Sequence, residues 1–109
     1  MNKPRFGPES ERRLPRSAII VDERDNVATA LRPLNQGTSV RLGIPDNDID
    51  VVLSRAIPLG HKFALRDIEL GTPIVKYGEV IGLATKRITK GEHTHVHNVE
   101  GLRGRGDRK

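Results

Sequence analysis

Four times along the chain an aliphatic residue stands three places before a glycine: Leu34 and Gly37, Ile57 and Gly60, Ile68 and Gly71, Ile88 and Gly91. Each pair reads as the same corner. The aliphatic side chain plugs a core, and the glycine takes a positive φ that would strain any other residue, turning the chain into its next strand. Steps of 23, 11 and 20 residues between these glycines are too uneven for a solenoid. Between the corners lie short β-branched stretches, at 18–21, 27–31, 49–53, 73–76, 80–84 and 93–99, which predict strands. Only residues 63–70 place apolar side chains at helical spacing (Phe63, Ala64, Leu65, Ile68), enough for about two turns of helix. The expected class is mostly β: a compact, irregular barrel with one or two short helical turns.

A net charge of +5 suggests a nucleic-acid partner until it is divided by segment. Residues 1–17 hold five Lys/Arg against two acids and residues 99–109 four against two, while residues 18–98 hold ten of each. The body is therefore neutral. With no Trp, one Tyr and two Phe it offers neither a basic groove nor stacking platforms, so nucleic acid is not expected as a partner. No run approaches the roughly 18 apolar residues of a membrane span, and the N-terminus lacks the apolar stretch of an export signal. A cytoplasmic protein without a membrane partner is expected. Proline, glycine and charge dominate the start, and glycine alternates with arginine at the end, so residues 1–17 and 102–109 are expected to be flexible around a domain at 18–101. The adhesion-like Arg105-Gly106-Asp107 in that tail reads as coincidence. The absence of Cys excludes disulfides, thiol nucleophiles and thiolate metal sites, leaving His, Asp, Glu or Asn to hold any ion.

Three of the four histidines alternate, at His93, His95 and His97, and would share one face of a strand. At about 3.3 Å per residue the outer two sit about 13 Å apart at the backbone, so one strand supplies two ligands to an ion. Water, substrate, His61 or another chain must complete the sphere, which is the open geometry of a catalytic site. The competing reading is an exposed polar strand face with titrating imidazoles. Gly60-His61-Lys62 is the second candidate: the glycine lets a ligand approach the backbone, while an ammonium and an imidazole offer charge and proton transfer to an anion. A solvent-exposed polar turn is its plain alternative. Tyr77-Gly78 reads as a hairpin turn between the runs at 73–76 and 80–84, with Tyr77 packing and its hydroxyl wet. The acids at 46–50 lack the glycine and terminal glutamate of a calcium loop and read as a solvated loop.

Taken in order, Asp25-Asn26-Val27-Ala28, Gly60-His61-Lys62-Phe63-Ala64, Ile74-Val75-Lys76-Tyr77-Gly78, Ile81-Gly82 and Gly91-Glu92-His93-Thr94-His95-Val96-His97-Asn98 resemble the SAF-type (β-clip) domain of altronate/galactarate dehydratases. The resemblance covers residues 17–101. It implies the small subunit of a two-subunit, metal-dependent hydro-lyase of sugar-acid catabolism, inactive without a separate large catalytic subunit. It also implies an anionic hydroxy or sugar acid as substrate, and self-association is open. The family pattern centres on His95-Val96-His97-Asn98, which weights His95 and His97 above His93 as metal ligands. Fe²⁺ is the first expectation, with Mn²⁺ or Zn²⁺ compatible with an all-N/O ligand set. His61 and Lys62 are the expected catalytic residues, with Lys62, Asn98 and Tyr77 meeting the substrate. A sulfolactate sulfo-lyase subunit shares the architecture and eliminates sulfite instead of water. A stand-alone module that binds a sugar acid or a protein without chemistry is the alternative from a different class.

Overall fold

The computed structural model describes residues 17–44 and 47–101. The expected flexible segments at 1–17 and 102–109 fall outside it, Ser17 excepted, as does Arg105-Gly106-Asp107. Among the described residues the chain forms β1 (Ala18–Ile19), β2 (Val27–Ala30), β3 (Ser39–Ile44), β4 (Asn47–Val52), β5 (Lys62–Ala64), β6 (Pro73–Lys76), β7 (Glu79–Ala84), β8 (His93–Thr94) and β9 (Val99–Gly101). All pairings are antiparallel. They make a sheet ordered β1-β2-β5-β8, the hairpin β3-β4 and a sheet ordered β6-β7-β9. The chain is mostly β, as expected. Among the described residues it has no helix, none therefore long and apolar enough to cross a membrane, and its sheets do not close into a barrel.

All four corner glycines carry positive φ, between +84° and +87°. Their neighbours close turns by hydrogen bonds from Thr38 to Asn35, His61 to Pro58, Thr72 to Glu69 and Glu92 to Thr89, with the glycine third, as in type II turns. The aliphatic residues then pair. Leu34 and Ile57 exchange both backbone hydrogen bonds at 2.8–2.9 Å, and Ile68 and Ile88 do so at 2.7–2.8 Å. Each pair plugs one of two apolar cores. The first contains Ala28, Phe63, Val40 and Val51. The second contains Val27, Ala64, Ile74 and Ala84. β2 and β5 lie between them, so neighbouring residues on one strand, Phe63 and Ala64 or Val27 and Ala28, are buried in different cores.

This burial on both faces explains why residues 63–70 look helical in sequence. Phe63 and Ala64 are consecutive apolar residues because their strand is covered on both sides. Leu65 joins the first core, and Ile68 is a corner plug of the second. The segment is a strand followed by a corner, and the expected helical turns are absent. A second correction concerns residues 46–50: Asn47–Val52 is strand β4, in register with β3 from Ile44↔Asn47 to Ser39↔Val52. Strand pairing with Ser39–Ile44 orders Asp48 and Asp50 where a solvated loop was expected, Asp46 lying outside the described residues, and Asp50 accepts a 2.9 Å bond from Arg41 across the hairpin.

Asp25 and Asn26 clamp the β6–β7 hairpin to the central sheet. Asp25 is 2% exposed, and its carboxylate accepts from the backbone N–H of Val21 and Asp22 (each 3.1 Å) and of Gly78 (2.8 Å). Asn26 exchanges side-chain bonds with Val75 N–H and the Pro73 carbonyl. Asp25→Ala leaves three donors without their acceptor. Its expected cost is about 2–3 kcal/mol, read as a shift in the urea midpoint. A shift no larger than that of an exposed-residue control would mean that water replaces the carboxylate at no cost.

Candidate metal centre

Two corners deliver the histidines. His61 directly follows Gly60, and His93 lies two residues beyond Gly91. β5 pairs with β8 through Phe63↔His93 and Lys62↔Thr94, so one further step of the same ladder sets His61 opposite His95. The rings confirm that placement. His61 stacks on His95 with centroids 4.0 Å apart, and on His93 at 5.1 Å. His61 Nδ1 lies 2.9 Å from His93 Nε2, a hydrogen bond that requires one of these nitrogens to be unprotonated. One ligand atom from each of His61, His93 and His95 falls within 4.8 Å of the other two.

The expected single strand over residues 93–99 is broken. β8 ends at Thr94, and residues 95–98 form a tight turn before β9. Asn98 makes it. Its Oδ1 accepts from His95 N–H, its Nδ2 donates to the His93 carbonyl, and its own N–H donates to the His95 carbonyl, at 2.9–3.0 Å. The residue is completely buried, so its side chain is engaged in shaping the loop. The turn also voids the extended-strand separation between His93 and His97, whose ring centroids are 5.2 Å apart with planes tilted by 36°. His97 is exposed at the rim and outside the trio.

The sequence-weighted pair His95 and His97 is therefore not the pair the fold gathers. His95 joins His61 and His93. Metal–nitrogen bonds of about 2.0–2.1 Å need ligand nitrogens roughly 3–3.5 Å apart, a separation the His61–His93 pair nearly has, and His95 brings a third ring nitrogen into a group spanning no more than 4.8 Å. Three neutral imidazoles suit a borderline divalent ion. The residues present thus fit such an ion, and all three are half-buried.

Burial pushes His93 and His95 below the usual imidazole value of 6.5, and neighbouring charge on His61, His97 and Lys62 pushes both the same way. Both are therefore neutral and available as ligands at pH 7. The unfolded chain takes up these protons at higher pH than the folded chain, so their contribution to stability is complete above about pH 6.5 and is lost as pH falls through the depressed folded values. Stability of the metal-free chain is expected to decline as pH falls below about 6.5, and His93→Gln to flatten that decline. An equal slope in the variant would assign the dependence to other groups.

Lys62 sits on β5 between Thr29 and Thr94, one residue from His61 and so on the opposite strand face. Burial, and secondarily the charge of Lys76, holds its ammonium below the usual lysine value. Its own charge still reaches His93 and His95. Tyr77 and Gly78 form the expected hairpin turn, with φ of +55° and +78°, the type I′ signature. Lys76 Nζ lies 5.0 Å from the centroid of the half-exposed Tyr77 ring. A cavity of about 210 Å³ beside Ser17, Arg41 and Gly43 lies away from the histidines and holds one ionisable side chain, Arg41. The sequence offers His61 as one of several ways to complete the sphere and places His93 below His95 and His97, whereas the fold brings His61, His93 and His95 together. The signal was strand pairing between β5 and β8, which no local motif carries.

Comparison with known proteins agrees with this architecture. Residues 16–102 match the altronate/galactarate dehydratase SAF domain. The altronate dehydratase of Escherichia coli is 47% identical over 81 residues, covering 74% of this chain and 16% of that protein. The (2R)-sulfolactate sulfo-lyase subunit alpha of Chromohalobacter salexigens is 42% identical over 55 residues, covering 50% of this chain and 58% of that protein. The galactarate dehydratase (L-threo-forming) of Escherichia coli is 40% identical over 73 residues, covering 67% and 13%. The chain spans about a sixth of the length of the altronate dehydratases it matches. With its paired corners, its two cores and a family match over most of its length, the chain belongs to the altronate/galactarate dehydratase SAF domain family.

Proposed function

We propose that this chain is the SAF subunit of a metal-dependent lyase that removes water from an anionic hydroxy acid, working in the cytoplasm with a separate large catalytic chain. The observation that carries this reading is the convergence of His61, His93 and His95. The relatives support its direction, because those named are dehydratases and a sulfo-lyase, and one is itself designated a subunit.

His61, His93 and His95 would hold the ion, with Fe²⁺ the first choice and Mn²⁺ or Zn²⁺ compatible. When bound, such an ion polarises carboxylate and hydroxyl oxygens as a Lewis acid. Lys62 binds the substrate carboxylate through its ammonium, and Tyr77 offers its phenol from the hairpin beside Lys76. His97, exposed beside His93, takes the proton from the carbon next to the carboxylate and delivers a proton to the hydroxyl on the adjacent carbon, which leaves as water. Asn98 orients the loop that carries His95 and His97. Elimination of sulfite from sulfolactate is the same proposal with a different leaving group.

The test combines the chain with a large dehydratase subunit and screens aldonic acids, aldaric acids and sulfolactate with Fe²⁺. Turnover that needs both chains and stops on chelation is expected. Lys62→Met keeps most of the stem but removes the charge, and is expected to raise KM roughly 10–100-fold. Hydroxy-acid binding that survives chelation, with no turnover in the combined sample, would instead make the chain a binding module.

A further inference from the structure

A cleft of about 400 Å³ opens beside the histidines, lined by Arg55, Ala56, Lys86, Glu92, His93 and His97. Its two cations come from equivalent places in the repeat. Arg55 stands two residues before the corner plug Ile57, and Lys86 two before Ile88. Each follows a residue locked against the histidine loop. Ser54 N–H donates to the Gly91 carbonyl at 3.0 Å, two residues before His93, and Thr85 N–H donates to the Asn98 carbonyl at 2.9 Å, one residue after His97. The Ser54 hydroxyl adds a 3.3 Å bond to that Gly91 carbonyl.

Neither cation has a counter-ion among the described residues. Arg87, next to Lys86, is by contrast paired with Asp67 and Glu69. The one acid in the cleft is turned toward its own corner, where Glu92 Oε1 accepts from Thr89 N–H and Thr89 Oγ1. The wall nearest His93 and His97 thus presents a guanidinium and an ammonium free to bind an anion. Lys62 leaves the central sheet elsewhere, from β5, so positive charge reaches the cluster from two directions.

We infer that Arg55 and Lys86 form an anion subsite beside the histidine trio, and that the chain selects hydroxy acids with two anionic groups over those with one. The inference rests on the hydroxy-acid reading of the site and adds to it a substrate class: one anionic group lies toward the histidine trio and the second, a carboxylate or sulfonate, enters the cleft beside Arg55 and Lys86. A volume of about 400 Å³ is within the range of small-molecule sites.

The probes are tartrate, a hydroxy acid with two carboxylates, glycerate, with one, and sulfolactate, which replaces a carboxylate by a sulfonate. Each is titrated at low ionic strength into the metal-free full chain, following the imidazole resonances of His93 and His97. Tartrate is expected to bind about tenfold more tightly than glycerate. The double variant Arg55→Gln/Lys86→Gln, altered only at exposed positions, is expected to bring that ratio within about twofold. Sulfolactate tracking tartrate supports a subsite for either oxyanion, and sulfolactate tracking glycerate supports one that takes carboxylate alone. An undiminished preference in the double variant, or no preference in the unaltered chain, overturns the inference. The dependence is independent of turnover. If it is present while the combined sample is inactive, the subsite stands and the lyase reading falls. If the double variant turns over dianionic and monoanionic acids in the unaltered ratio, the subsite falls and the lyase reading stands.

Discussion

Gly91→Ala is expected to cost roughly 3 kcal/mol or more, a large share of the stability of a domain this size. Two effects combine there. At φ +87° a side chain is strained by about 1–2 kcal/mol. A Cβ at Gly91 would also run into the backbone carbonyl of Val52, which cannot rotate aside. Gly60 separates these effects, because it has φ +84° yet open space where a Cβ would go. Gly60→Ala is therefore expected to cost only the strain, about 1–2 kcal/mol. Urea unfolding of both variants checks the difference. Equal losses would mean that the Val52 contact relaxes and that the corners are interchangeable.

That comparison bears on how much of the fold is legible in the amino acids. The four corners are visible because a positive-φ turn demands glycine and a corner plug demands an aliphatic residue, both local requirements. Which corners pair is a tertiary fact: Leu34 meets Ile57, and Ile68 meets Ile88, through bonds spanning 20 residues or more. The false helix at 63–70 has the same origin. Local periodicity cannot distinguish a helix face from a strand buried on both sides, and β5 is such a strand between two cores. Strand β3 alternates Val40, Leu42 and Ile44 with Arg41 and Gly43, the period-two pattern of a strand with one buried face, and following continuous β-branched runs passes over it until β4 pairs with it.

The site divides in the same way. That histidines converge near the last corner is readable from their alternation. Which of them converge is not, because Asn98 bends the chain after Thr94 where alternation implies continued extension. Once the strand stops, the extended-chain distance no longer applies, and the ladder from β5 decides that His61 joins His93 and His95.

His93→Ala is expected to have the largest functional effect. His93 is hydrogen-bonded to His61, belongs to the trio and lines the cleft shared with Arg55 and Lys86. Removing it leaves two imidazoles for the ion and one fewer contact for the ligand. A loss of at least about a hundredfold in metal affinity is expected, since changes even to the partners of metal ligands typically cost 10–100-fold. His97→Ala is expected to keep the metal while lowering turnover, because His97 lies outside the trio. The opposite pattern, with metal retained in His93→Ala and lost in His97→Ala, would return the site to the pair suggested by the sequence.

The most direct test of the metal centre is a titration of the unaltered, metal-free chain with Zn²⁺ at pH 7, following all four imidazoles by NMR. Saturation is expected at one ion per chain, with the coordinating nitrogens of His61, His93 and His95 shifting together and His97 retaining the signature of a free ring. Coordination by His95 and His97 without His61, or four imidazole signals unchanged up to excess metal, would contradict it.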